Sequence, residues 1–172
     1  MDNPVKESKI LIGALDGKAF IISKGSMTAN LSFPIREYLY HLIDVSSSQI
    51  EIYIDLSETD YMDSTFMGLL VGVEKKTTKK FNTHLKLINI SDKSLQYLKN
   101  LHLDRLLDIN EMTIPDNILF CVFNEEFLLT EKEKTQAVYD AHKSLSEICS
   151  DNERKFKTLQ SLLENQLNDG DN

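Results

Sequence analysis

Apolar positions along the chain alternate between short period-two runs and longer stretches with helical spacing. Ile10-Leu-Ile-Gly-Ala-Leu15 and Ala19-Phe-Ile-Ile-Ser23 flank Asp16-Gly17, a dipeptide that favours a tight turn, so the first two strands read as a hairpin. A helix follows from about Ser32 to Asp44, with Ile35, Leu39, Leu42 and Ile43 on one side. Pro34 falls in its expected first turn, where a missing N–H costs nothing. From Ile50 to Leu56 the alternation is strict. Ile50, Ile52, Ile54 and Leu56 share one face, while Glu51, Tyr53 and Asp55 point to a second, less buried face. A loop from Ser57 to Tyr61 leads to a helix ending near Lys80, then a strand near Leu85–Ile90 and a helix near Asp92–Asn100. Parallel strands joined by a helix require a right-handed crossover, which makes the fold an α/β domain with a mixed sheet.

The last third has a different character. After a loop from Asn110 to Asn117, Ile118-Leu-Phe-Cys-Val-Phe123 is a short apolar run suited to an extra strand, with Cys121 expected in the core. From about Thr130 to Leu167 there is no Pro and no Gly. Val138, Ala141, Leu145, Ile148, Leu159 and Leu162 keep the three-four spacing of a coiled-coil seam, with Asn152 at a seam position and Phe156 one residue off it. The stretch reads as one long helix or as two broken near Ser150–Asn152, and Gly170–Asn172 as a frayed end. The seam needs a cover, and the choice is between the chain's own domain and a homodimer. Asn152 tilts it toward the dimer, because a polar seam residue sets register in dimeric coils. The division expected is 1–123 for the α/β domain and 124–172 for a C-terminal helical extension.

The segment with the most chemical content is Asp55-Leu-Ser-Glu-Thr-Asp-Tyr-Met-Asp-Ser-Thr-Phe-Met-Gly68. It places Asp63 and Ser64 at the mouth of a helix, where a short side-chain oxygen caps free N–H groups. By local sequence alone these two residues are helix caps. Around them, however, the chain resembles the STAS family, in particular the bacterial anti-sigma factor antagonists. Their pattern is an apolar strand ending in Asp-Leu-Ser, a short loop, and Met-Asp-Ser-Ser/Thr-Gly-Leu-Gly leading an apolar helix. Here the corresponding residues are Met62-Asp-Ser-Thr-Phe-Met-Gly68, and the resemblance extends over roughly residues 8 to 110, closing with Leu103-Asp-Arg-Leu-Leu-Asp-Ile109. Phe66 and Met67 replace the family's Gly and Leu. Thr28, in Gly25-Ser-Met-Thr28, replaces the family's Asp before the first helix.

The resemblance implies a STAS-like mixed β-sheet packed with helices, and a phosphoacceptor at Ser64. It implies a partner-binding face around Asp63, Ser64, Thr65 and Thr28. The apolar neighbours Tyr61, Met62, Phe66 and Met67 extend that face, and at least one of Phe66 and Met67 is expected off the sheet side, because adjacent helical positions diverge by about 100°. The implied function is that of an anti-sigma factor antagonist in a partner-switching pathway. It would bind an anti-sigma factor serine kinase when Ser64 is unmodified, release it on phosphorylation, and be reset by a serine phosphatase. A phosphate at Ser64 would sit at the positive end of the helix dipole, tolerable to the domain but not to a partner desolvating it. The alternative is a non-switching STAS scaffold that assembles a larger complex through its C-terminal helix.

Composition narrows the choices. The 172 residues carry a formal net charge of −8. Residues 1–123 hold 13 Lys and Arg against 16 Asp and Glu, and residues 124–172 hold 6 against 11, so the acidity is concentrated in the tail. Neither part suits a nucleic-acid backbone. The basic run Lys75–Lys80 falls at a helix end, where cations complement the dipole. No stretch reaches the ~20 apolar residues of a membrane span, and the polar N-terminus lacks a signal-peptide core, so the expected compartment is the cytoplasm. Cys121 and Cys149 match no metal or redox spacing.

Enzymatic signals are weak. Ser64 lacks a Gly-x-Ser-x-Gly elbow. His41, His84, His102 and His142 are scattered and suggest neither a base nor a metal site. Asp55, Asp60 and Asp63 form an acidic cluster, but Asp16 is a turn residue and supplies no receiver-type acidic pair. The expectation is a kinase substrate, with no cofactor and no catalysis. Gly68 and Gly72, four apart, are expected to let the helix sit close on the sheet, since each costs about 1 kcal/mol of helix propensity against Ala.

Overall fold

The computed structural model of the chain describes residues 7–124 and 129–169. The N-terminal residues read as lacking a signal peptide, apart from the last few, and the Gly170–Asn172 end lie outside the described residues. Strands β1 (Lys9–Leu15) and β2 (Lys18–Met27) form the expected hairpin, with Leu15 opposite Lys18. Asp16 and Gly17 both have positive φ, 49° and 74°, the geometry of a two-residue turn whose twist matches the strands. Helix α1 (Ala29–Val45) begins three residues earlier than expected, so Pro34 lies inside it rather than in the first turn. The ring removes one backbone donor, and the carbonyl it would have met belongs to the exposed Asn30, where water can replace it.

Strand β3 (Glu51–Met62) continues through the segment expected to be the Ser57–Tyr61 loop. Two irregularities in its pairing with β2 keep it in the sheet, after which Ser26 lies opposite Tyr61 and Met27 opposite Met62. Helix α2 (Ser64–Phe81), β4 (Lys86–Ile88) and α3 (Asp92–Asn100) follow. A 3-10 turn at Leu103–Arg105 leads into β5 (Asp108–Asn110), and β6 (Cys121–Val122) adds to β1. The sheet order is β5-β4-β3-β2-β1-β6; β2 through β5 are parallel, and β1 is antiparallel to both its neighbours.

The main core joins Ile52, Ile54 and Leu56 of β3 to Ile35, Leu39 and Ile43 of α1 and to Leu70 and Val73 of α2. The second face of β3 is not open. Tyr53 and Asp55 are buried, Tyr53 in a smaller cluster with Phe20, Ile88 and Ile118 that Met112, Ile114 and Phe120 complete. The loop after β5 folds back over that face. Cys121 is exposed at the sheet edge, contrary to its expected place in the core; Ile118 is the buried member of that run.

The C-terminal stretch is two helices, α4 (Glu131–Ser146) and α5 (Ser150–Asp169). Thr130 and Glu133 form a reciprocal capping box that starts α4. α4 lies on α2, and α5 returns along α4. Ala137, Ala141, His142 and Leu145 of α4 are buried, as are Asn152, Phe156 and Leu163 of α5. Leu162, assigned to the seam by spacing, is instead exposed, and Phe156 takes a buried place. Asn152 does not set a coil register. Its amide donates to the carbonyls of Leu101 (2.8 Å) and Leu145 (3.1 Å), tying the ends of α3 and α4 together. The seam is covered within the chain, which removes the reason given for a homodimer.

Candidate functional site

The site is assembled at the junction of β2, β3 and the helices that leave them. Met27 and Met62 end their strands side by side, and the N–H of Asp63 donates to the Met27 carbonyl at 3.0 Å. α1 and α2 therefore start next to each other. Asp63 serves both. Its Oδ1 accepts from Phe66 N in the first turn of α2 (2.8 Å), and its Oδ2 accepts from Ala29 N, the first residue of α1 (2.7 Å). Thr28 occupies the N-cap position of α1 but makes no side-chain cap, so the carboxylate of Asp63 does that work. Thr28 thus lies between the two backbone groups, Met27 O and Ala29 N, that Asp63 bonds.

Ser64 is the first residue of α2 and is partly buried. Its Oγ lies 2.8 Å from Nε2 of His142, a residue 78 positions away on α4. His142 Nδ1 lies 2.7 Å from the Val138 carbonyl. A carbonyl only accepts, so Nδ1 carries the proton in the neutral ring, and Nε2 accepts from the Ser64 hydroxyl. Burial pushes the imidazole pKa below its usual value, against the opposing pull of the Val138 hydrogen bond and the Asp63 charge. Only 3% of His142 is exposed, with the Phe156 ring edge-on at 5.1 Å. The scattered histidines gave no hint of this pairing. The one sequence signal was that His142 follows Ala141 in the apolar seam.

The glycines of α2 face other helices, not the sheet. A Cβ on Gly68 would stand 2.5 Å from the Ala141 carbonyl oxygen, and one on Gly72 would stand 2.2 Å from the Tyr40 hydroxyl of α1. The void among α1, α2 and α4 is about 10 Å³, room for at most one water. Two ion pairs flank the contact: Arg36 with Asp140 at 3.0 Å and Lys75 with Glu147 at 2.7 Å. Two further lysines of the basic run hold the end of α1: Lys76 meets Asp44, and Lys80 Nζ donates to the Ile43 and Asp44 carbonyls.

The apolar neighbours of Ser64 are mostly not exposed. Met62 (1% exposed), Phe66 (2%) and Met67 (6%) belong to the core, and Thr65 is buried. Neither Phe66 nor Met67 reaches solvent, so the divergence of adjacent helical positions does not make either an exposed contact. Tyr61 alone of this group is exposed, edge-on to Tyr97. The acidic trio disperses: Asp55 accepts from Ser57 and Asn89, Asp60 is exposed, and Asp63 caps. Among the described residues no group of three or more His, Cys, Asp or Glu side chains could hold a metal ion, and no helix is long and apolar enough to cross a membrane.

The STAS domain model matches residues 20–116, more than half of the chain. The chain belongs to the STAS family. The fold is that of the anti-sigma factor antagonists. The unphosphorylated form of the anti-sigma factor antagonist SpoIIAA superimposes with a TM-score of 0.53 at 16% identity, over 60% of this chain and 88% of that one. An anti-sigma factor antagonist from Mycobacterium paratuberculosis gives 0.52 at 14% identity, over 64% and 90%. At these identities the likeness is one of fold. The STAS match ends before α4 begins, so this STAS domain carries His142 and its helical hairpin as an addition.

Chemically, a serine donating to an imidazole whose other nitrogen is fixed has the outline of a nucleophile and its base. Here the orienting group is a backbone carbonyl, and the space beside the pair is filled by α4. The arrangement fits a docked helix better than a substrate cleft.

Proposed function

We propose that this STAS protein is an anti-sigma factor antagonist that works by partner switching. It binds an anti-sigma factor serine kinase while Ser64 is unmodified, is released when Ser64 is phosphorylated, and is returned to the binding form by a serine phosphatase. The observation that carries this reading is the position of Ser64: the first residue of α2, directly after the carboxylate that caps both α1 and α2, within the STAS signature. A phosphate there would meet the positive end of the α2 dipole, so the domain tolerates it, whereas a partner seated on the same spot must bury a dianion beside Asp63. Thr28 and Tyr61 complete the face that the partner would read; Thr65, Met62, Phe66 and Met67 are buried and support it from beneath.

Titration of the full chain with the candidate anti-sigma factor kinases of its source cell tests the reading. Ser64→Ala should bind, and Ser64→Asp should bind at least ~10-fold more weakly, a difference of about 1.4 kcal/mol. Equal affinities for the two variants contradict switching at Ser64.

A second reading has its own support. Because His142 covers Ser64 and α4 fills the adjacent face, the alternative is that the protein serves instead as a non-switching STAS scaffold, joined to a larger complex by exposed parts of its C-terminal helices. Kinase and ATP would then leave Ser64 unmodified.

A further inference from the structure

The face of α2 that begins at Ser64 is occupied by α4. Gly68 allows the closest approach, with its absent Cβ only 2.6 Å from Ala141 Cβ. His142, the next residue, reaches the Ser64 hydroxyl. The contact is made of small and polar groups. Of the four buried residues of α4 — Ala137, Ala141, His142 and Leu145 — only Leu145 is a large aliphatic side chain, so α4 meets Ser64 and Gly68 with small and polar groups, while Leu145 and Phe156 of α5 join the main core. The flanking pairs, Arg36 with Asp140 and Lys75 with Glu147, are partly solvated and therefore weak and exchangeable.

We propose that the α4–α5 hairpin is a displaceable cover over Ser64, docked in the same chain on the face that a partner or kinase must reach. The proposal rests on the reading of Ser64 as the partner-facing hydroxyl. The hairpin and the partner then compete for one surface, and phosphorylation requires the hairpin to lift. The covered surface also describes what can replace it. A protein partner must put a small side chain over Gly68, an acceptor at Ser64, and carboxylates within reach of Arg36 and Lys75. An acidic helix with a small-residue stripe meets all three conditions.

Lifting can be measured without the partner. In the full chain with Cys121 and Cys149 changed to Ser, Ser64→Cys supplies a thiol under the cover, and Leu56→Cys, fully buried in β3, supplies a thiol that only global unfolding exposes. Alkylation by iodoacetamide is followed against urea concentration. A displaceable cover predicts that the thiol at position 64 reacts at least tenfold faster than that at position 56, with a weaker urea dependence, because a local opening exposes less surface than unfolding. Adding Gly68→Ala, which collides with Ala141 only in the docked state, should raise the rate at position 64 at least tenfold further and that at position 56 by a smaller factor, because the helix propensity gained in α2 favours every folded form over the unfolded chain. Identical rates and urea slopes at the two positions would overturn the proposal, making the hairpin a fixed part of the fold. A rate at position 64 equal to that of a free thiol would overturn it in the other direction, since the face would be uncovered from the start. Opening by this test, together with no phosphate on Ser64 even in Gly68→Ala, would uphold the cover and refute the switching function instead.

Discussion

His142 is the residue whose protonation state the site depends on. Neutral, it accepts from Ser64; protonated, it would offer a second N–H where an acceptor is needed, in a place that burial makes hostile to charge. The groups facing it are the Asp63 carboxylate, the Ser64 hydroxyl, the Val138 carbonyl and the Phe156 ring. Its folded pKa lies below the ordinary 6.5, so between those two values the unfolded chain binds more protons. The resulting contribution is complete above pH 6.5 and is lost as pH falls toward the folded value. Exposed His84 has the opposite sign, because its hydrogen bond to Glu74 raises its pKa. The test is therefore a difference: urea unfolding of wild type and His142→Leu from pH 8 to 5, with wild type losing more stability on the acid side. Parallel curves would show that His142 does not titrate on unfolding. Asp63 gives a second residue-scale prediction. Asp63→Ala removes two charge-assisted caps at once and should cost about 2–4 kcal/mol in chemical denaturation. A loss under about 1 kcal/mol would mean that water replaces both. Local sequence revealed Asp63 as a cap for α2. It could not reveal the second bond, which depends on two strands ending side by side.

Among the elements, those defined by local rules were legible. The β1–β2 hairpin follows from Asp16-Gly17, and α3 spans the expected Asp92–Asn100. Elements defined by neighbours were not. β3 runs past Leu56 because β2 continues beside it through two irregularities, and no period-two pattern in Ser57–Tyr61 signals that. Tyr53 and Asp55 looked half-solvated because the loop that covers them comes some sixty residues later. The glycines of α2 were rightly read as sites of close approach but assigned to the wrong neighbour, since two helices can crowd a helix as closely as a sheet can. Phe66 shows the consequence. As a docking residue it would tolerate Gly at about 1 kcal/mol; as a core ring at 2% exposure, Phe66→Gly should cost about 4 kcal/mol or more. Equilibrium unfolding decides between these values, and the smaller loss would mean that the ring does not pack as described.

At the scale of the whole molecule, the acidic tail is a two-helix hairpin laid over the α2 face of a STAS domain. The spacing of Ala141 and Leu145 identified the buried side of α4, with Val138 only half-buried at its edge, and the choice of two helices was open near Ser150. What covers that side was not legible, because an amphipathic stripe has the same appearance whether it meets its own domain or a second copy. With the stripe covered in the chain, sedimentation equilibrium of the full protein should give a monomer. A tight dimer that dissociates on Leu145→Glu would show that the helices exchange between copies.

The central claim is that Ser64 is a phosphoacceptor controlling partner binding. It is tested most directly by incubating the full chain with its candidate kinases and ATP, then measuring intact mass and mapping the modified residue. The account predicts a single added phosphate on Ser64, absent from Ser64→Ala and accumulating faster in Gly68→Ala. Phosphate on Thr28 or Thr65 with Ser64 untouched, or no phosphate on either wild type or Gly68→Ala, would contradict it.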